Sequence, residues 1–357
     1  MDRKSFKTIV FLLLTLKLMA ISSLEPITLT ILGAVGLGAI VSKWDYLKCS
    51  TSECCHKLGA EYLTKKGWSR EPWIDYQVKQ LSDDLNREVH GQHLVKQIIP
   101  KLIEQHMKNE NPEKALVLSF HGWTGGGKNF VSDIVAKNIF RKYRKSGESD
   151  FVRHFFCSHF NTEDKQLIRE WIKNNITNVV KTCQRSLFIF DEIDKLPEGV
   201  IDIIKPFVDH NKFVDSIDYT KTIFILLSNT GGTGITKKTY EFYKQGKEQT
   251  DLKMKDFESL IGSGAFNENG GLNKSDIVDK NLIDAYIPFL PLEKKHVRRC
   301  VIDYLKLHHN KVDPLKDPGR EFIRDIADEM EYQPPDTQLY SRTGCKRVRT
   351  KVDALID

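Results

Sequence analysis

Apolar residues along this chain follow two rhythms. Short strand-like runs occur at Ala115–Phe120, Val152–Phe156, Leu187–Phe190 and Thr222–Leu227. Between them, over Asn129–Phe140 and Leu167–Val180, apolar positions recur every three or four residues, the helical period. The same spacing appears upstream at Leu94, Ile98, Ile99, Leu102 and Ile103. Buried strands alternating with helices predict an α/β fold with a parallel sheet covered on both faces. Near Pro288-Phe289-Leu290-Pro291 the strands stop. Helical patterns follow at Glu293–His308 and Gly319–Glu331, then a short basic tail. This predicts a large α/β domain over residues 44–290 and a small helical C-terminal domain over 291–357.

The first residues carry a different signal. Three basic residues within Met1–Lys7 precede the mainly apolar Thr8–Ala20 and the small residues of Ala20-Ile21-Ser22-Ser23. That is the layout of a secretory signal peptide, assigned to residues 1–23. A second apolar segment, within residues 24–43, contains Gly33, Gly36 and Gly38. Residues 26–42 are at the lower limit for spanning a bilayer, so a hairpin or in-plane anchor on the membrane surface competes with a span.

Charge adds a negative result. The 54 Lys+Arg and 48 Asp+Glu leave a net +6, and the basic residues are scattered. A nucleic-acid partner is not expected, because such proteins gather their positive charge on one face. The seven cysteines, Cys49, Cys54, Cys55, Cys157, Cys183, Cys300 and Cys345, lack zinc-ligand spacing and suit an oxidising compartment. Sequons at Asn175-Ile176-Thr177 and Asn273-Lys274-Ser275 would be glycosylated there. Together these features point to the endoplasmic reticulum lumen. No KDEL-type signal closes the chain, so the apolar segment or a partner would have to retain it.

The chemistry lies at the ends of the predicted strands. Gly122-Trp123-Thr124-Gly125-Gly126-Gly127-Lys128 follows a strand and opens a helix, the arrangement of a phosphate-binding loop. Its backbone N–H groups would close on the phosphates, and Lys128 would reach the β and γ oxygens of ATP. Asn129 stands where Ser or Thr usually ligates Mg²⁺. Its amide oxygen is an acceptable hard ligand, though set farther from the backbone. The third strand ends in Asp191-Glu192: the aspartate would hold Mg²⁺ through water, and the glutamate would polarise the attacking water. The fourth ends in Ser228-Asn229, whose amide would touch both the γ-phosphate and that water.

These motifs in this order resemble the P-loop AAA+ ATPases. Val89-His90-Gly91-Gln92-His93-Leu94 is similar to the box that packs near adenine in the Clp-like branch. Gly122–Asn129 together with Gly344-Cys345-Lys346 resembles torsins more specifically, over roughly Trp44 to the end. Torsins commonly carry Thr where this chain has Gly126. The resemblance implies an ATP- and Mg²⁺-dependent chaperone-like ATPase of the endoplasmic reticulum and nuclear envelope. It places Lys346 on the γ-phosphate as sensor 2. A Cys300–Cys345 disulfide beside it would be a redox control of that sensor or a structural staple. By the same likeness Cys183 would pair with Cys49, and Asp328-Glu329 would lie on a partner-facing helix; a solvated helix face explains the acidic pair equally well.

Absences refine that expectation. Ser186–Val297 contains no Arg, so the finger that AAA+ rings extend to a neighbour's γ-phosphate is missing. Torsins receive this arginine from membrane-anchored AAA+-like partners, and weak hydrolysis is expected without one, in homo- or hetero-oligomers. Between Lys128 and Asp191 the only glycine is Gly147, so no Gly-aromatic-apolar-Gly threading loop is present. That disfavours a Clp-like unfoldase. A nucleotide-gated membrane scaffold is the other alternative; a nucleotide kinase would need a further set of phosphate-binding arginines.

Overall fold

The computed structural model describes residues 74, 76, 78–160, 164–308 and 319–355. The chain divides into two compact units, Met1–Ser52 with Leu58–Arg70, and Glu53–Lys57 with Glu71–Asp357. Every described residue belongs to the second. The signal peptide, the apolar segment at 24–43 and Cys49, Cys54 and Cys55 lie outside the described residues.

Helix α1 covers Val78–Glu88 and α2 His93–Lys108. Strand β1 (Leu116–Gly122) leads into α3 (Lys128–Ile139) and the short α4 (Arg141–Ser146). Strand β2 (Val152–Phe156), α5 (Lys165–Thr182) and β3 (Leu187–Asp191) follow. A short α6 (Lys205–Val208) and a hairpin of β4 (Phe213–Val214) and β5 (Ile217–Asp218) lead to β6 (Ile223–Ser228). Helices α7 (Gly232–Lys244), α8 (Glu258–Asn267) and α9 (Asp276–Asp279) precede β7 (Ala285–Phe289). Helices α10 (Lys294–His308) and α11 (Gly319–Asp328), strands β8 (Tyr332–Gln333) and β9 (Tyr340–Ser341), and α12 (Val348–Leu355) complete the unit.

Five strands form one parallel sheet in the order β2-β3-β6-β1-β7. The three central strands are buried almost throughout, as their apolar sequences require. Four of the five match the predicted strand positions to within two residues at either end. The fifth, β7, was not expected, because Pro288 interrupts a short apolar run. It is tolerated because β7 is an edge strand, where a missing ladder donor costs least. Helices α7 and α8 were also not anticipated: Gly231, Gly232 and Gly234 open one, and Gly262 and Gly264 sit in the other. Gly232 is admitted because its backbone presses on Trp123; a Cβ there would lie 2.8 Å from the Trp123 ring.

The sheet core is rich in phenylalanine, with Phe155 and Phe190 at 4.5 Å between ring centroids and Phe188 and Phe224 at 5.1 Å. A separate apolar cluster joins α10, α11 and α12 through Val297, Val301, Leu305, Ile323, Ile326, Val348 and Val352. The Cys300–Cys345 disulfide packs against it and closes a sequence separation of 45 residues. On loop-closure entropy such a link stabilises by about 4 kcal/mol. Among the described residues, no helix is long and apolar enough to cross a membrane.

Three histidines are buried neutral in this frame. Burial pushes His106 and His121 down to about 4 and His296 to about 3. The unfolded chain therefore binds protons at pH 4–6.5 that the folded chain refuses, and stability falls as pH drops through that window. We expect the melting temperature to be lower at pH 5 than at pH 7. A His106→Gln variant, which cannot titrate, should show a shallower decline in the same melts.

Candidate functional site

The parallel register brings the ends of β1, β3 and β6 to one point. His121 pairs with Ser228 and Phe190 with Leu226, so the residues just beyond each strand become neighbours. Strand β1 ends at Gly122, whose φ of +151° brings the chain against β7; a Cβ there would lie 2.5 Å from the Phe289 carbonyl oxygen. The loop then reaches Gly127, left-handed at φ +101°, and α3 begins at Lys128 without a side-chain cap. An uncapped first turn leaves backbone N–H groups to meet an anion.

Lys128 is buried, and its Nζ donates to the carbonyls of Gly122 at 2.6 Å and Trp123 at 3.1 Å, and to Asn229 Oδ1 at 3.0 Å. Thr124 reaches the same oxygen at 3.4 Å. Burial lowers the Lys128 ammonium to about 8, partly countered by Asp194, Asp191 and Glu192. Asn129 Nδ2 donates to Asp191 Oδ2 at 2.6 Å. An amide has two ends, so this contact leaves Oδ1 for a hard cation beside the Asp191 carboxylate. Glu192 stands next, at a left-handed φ of +53°, which turns the chain at the strand end. Such a conformation costs a non-glycine residue about 1–2 kcal/mol.

Three residues complete the framework: Gln92 belongs to the box read from the sequence, while His121 and Asp194 were not singled out there. Gln92, almost fully buried, donates to the carbonyls of Gly126 at 3.1 Å and Leu290 at 2.8 Å, and accepts from Leu290 N–H at 2.8 Å. It thereby ties the Gly91-Gln92 box to the loop and to the end of β7. His121 is buried between Ser119 Oγ at 2.7 Å and the Thr230 carbonyl at 3.1 Å. Since a carbonyl only accepts, Nδ1 carries the proton and Ser119 donates to Nε2. The third, Asp194, accepts from Asn229. A polar residue inside an apolar strand was the available signal for His121, and the Asp191-Glu192-Ile193-Asp194 spacing for Asp194.

The Gly344-Cys345-Lys346 turn meets the loop through backbone atoms. A Cβ on Gly125 would lie 1.9 Å from the Thr343 carbonyl oxygen, and one on Gly344 would lie 2.1 Å from the Gly125 carbonyl oxygen. Both glycines have positive φ, +83° and +54°. Lys346 N–H donates to Thr343 O at 3.1 Å, and the Lys346 side chain is exposed. The disulfide holds this turn on α10 through Cys300. Gly126, by contrast, does not need a positive φ, and a Cβ there would lie 3.2 Å from the Trp123 carbonyl oxygen, a tight contact that asks the loop to give by a few tenths of an ångström. The box side of α10 is held too: Gly91 abuts the His296 ring, and His90 Nε2 lies 2.5 Å from Asp303.

The chain is similar to known proteins. The Torsin family model matches residues 49–190, and that of the Torsin-1A C-terminal domain matches 292–354. A torsin-like protein of Caenorhabditis elegans is 39% identical over 323 residues, covering 90% of this chain and 85% of its own. One of Drosophila melanogaster is 34% identical over 340 residues, covering 93% and 92%. The chain belongs to the torsin family. Among solved structures, the Saccharomyces cerevisiae Hsp104–ADP complex superposes at a TM-score of 0.54 with 17% identity. That match covers 78% of this chain, which spans about half of the yeast chain (46%), and it shows a shared AAA+ fold. This torsin is thus a nucleotide-binding AAA+ ATPase by family.

Other expected sites are now placed. Asn175 lies on α5 and is partly exposed. Asn273 is buried and donates to the Asn267 and Glu268 carbonyls, leaving a glycan no exit from the folded chain. Asp328 pairs with Lys294 at 2.9 Å and Glu329 with Lys351 at 3.1 Å, within the chain itself. Cys183 is disulfide-bonded to a cysteine outside the described residues, and Cys157 is buried and free.

Two outcomes follow from the geometry. Because Lys128 loses its proton near pH 8, nucleotide affinity should weaken as pH rises from 7 to 9. Calorimetry in buffers of different ionisation enthalpy should show net proton uptake on binding, largest above pH 8. Gly344→Ala would force the turn off the loop, and nucleotide affinity measured by fluorescence titration should fall about tenfold.

Proposed function

We propose that this torsin hydrolyses ATP with Mg²⁺ in the lumen of the endoplasmic reticulum and nuclear envelope, and needs a partner's arginine to do so efficiently. The convergence of Lys128, Asn129, Asp191, Glu192 and Asn229 at the C-terminal ends of the three central strands, in a chain without Arg from Ser186 to Val297, carries this reading. The loop Gly122–Gly127 would wrap the phosphates of ATP with backbone N–H groups. Lys128 would exchange its two carbonyls for β and γ oxygens. Asn129 Oδ1 and Asp191 fit Mg²⁺, which when bound neutralises charge on those oxygens. Glu192 would accept a proton from the attacking water, and Asn229 would hold that water and the γ-phosphate. Lys346 would approach from the turn that rests on Gly125. Cleavage of the terminal P–O bond gives ADP and phosphate.

An arginine reaching the γ-phosphate from outside stabilises the transition state by about 10³–10⁵ in rate. The fitting donor is a membrane-anchored partner with an AAA+-like lumenal domain, joined in a homo- or hetero-oligomer that remodels protein or membrane assemblies. The signal peptide and residues 26–42 would deliver the chain to that membrane surface.

Steady-state hydrolysis should be near background for the purified chain and rise strongly with such a partner domain. Changing the partner's arginine to Ala should abolish the rise. Glu192→Gln should keep ATP binding and lower turnover by about 10²-fold or more. Robust hydrolysis by the chain alone would overturn the arginine requirement. Full cellular activity of Glu192→Gln would favour a scaffold whose turnover is incidental.

A further inference from the structure

The Ile193–Lys195 turn that follows the catalytic pair brings one more carboxylate inward. Asp194, its side chain only 11% exposed, accepts from the Asn229 backbone N–H at 3.0 Å. It also faces Asn229 Nδ2 at 3.3 Å through each oxygen. The other end of that amide accepts from Lys128 Nζ at 3.0 Å and lies 3.4 Å from the Thr124 hydroxyl. A carboxylate only accepts and an ammonium only donates, so an amide between them has a single permitted orientation. The turn is itself anchored. Gly271 N–H donates to Ile193 O at 3.1 Å, and Gly270 passes so close that a Cβ there would lie 2.9 Å from the Asp194 Cα.

We propose that Asp194 is a positioning residue that keeps the Asn229 amide nitrogen turned to donate to the terminal phosphate of bound ATP. The proposal rests on the nucleotide reading of the site given above. Lys128 orients Asn229 only while it is not engaged by phosphate; once it is, only Asp194 still distinguishes the two ends of the amide. Nδ2 carries two hydrogens. The carboxylate takes one and fixes the plane in which the other is offered to an anion. Were the amide to flip, it would set an acceptor against the γ-phosphate, replacing attraction by repulsion. ADP lacks that phosphate and is indifferent to the orientation. Asp194 also leads the carboxylates that offset the burial of Lys128, so it serves both neighbours of the phosphate.

Asp194→Asn is close to isosteric but replaces one of the two oxygens facing Nδ2 with an NH₂, which weakens the preference for the donor end. Binding of ATP and ADP with Mg²⁺ should be titrated on the full chain carrying Glu192→Gln, so that bound ATP persists. The added Asp194→Asn change should weaken ATP about tenfold relative to ADP, the size expected for one hydrogen bond to a charged group. Asn229→Ala alone should reproduce that ATP-specific loss, and adding Asp194→Asn to it should change the ratio less than about twofold. Equal weakening of ATP and ADP would mark Asp194 as merely structural and overturn the proposal. So would an ATP-to-ADP ratio that does not move, or one that moves as much in the Asn229→Ala background. A chain with intact Asp194 and Asn229 that binds neither nucleotide would instead overturn the nucleotide site itself.

Discussion

One buried ammonium sets the terms for the nucleotide end of this sheet. Lys128 sits where its charge is poorly hydrated, and it survives there by borrowing two carbonyls of its own loop and the oxygen of Asn229. Burial costs that charge enough to move its proton loss into the range of ordinary buffers. The carboxylates of Asp191, Glu192 and Asp194 are gathered around it from the end of β3, and each has a second duty. Asp191 holds Asn129, Asp194 holds Asn229, and Glu192 marks the turn out of the strand. A phosphate entering this arrangement would replace weak internal acceptors with a strong one, which is why a folded chain can keep such a site ready.

The second organising element is the set of contacts between the sheet and the cluster of α10, α11 and α12. They come from two places, and Gln92 links one of them back to the loop. His90 and Gly91 meet Asp303 and His296 on α10. Gln92 reaches from the same box to the phosphate loop and the end of β7. The Thr343–Gly344 turn lies on Gly125, held from behind by the disulfide. The loop is therefore joined to α10 in two separate places, one through side chains and one through main chain.

Much of this was legible in advance because local spacing carries it. The central strands announce themselves as apolar runs, and the phosphate loop and Asp191-Glu192 are recognisable from their place at strand ends. Asn129 was readable as an oddity, but not its use of one amide end for Asp191 while the other stays open. What escaped depends on distant partners. Strand β7 hides behind Pro288, acceptable only because no further strand pairs beyond it. The glycine-rich starts of α7 and the middle of α8 look like loops until Trp123 and the neighbouring helix are seen to need the space. His121 and Asp194 are single polar residues whose meaning is set by atoms far away in sequence.

The main-chain contact between Gly125 and Gly344 has a consequence for how such a chain can vary. Each residue excludes a side chain on the other, and each also needs a backbone angle that only glycine adopts freely. No substitution at one position can be rescued at its counterpart, since that one is already the smallest residue. The two sites therefore form a closed corner of sequence space: drift can pass around them but not through them.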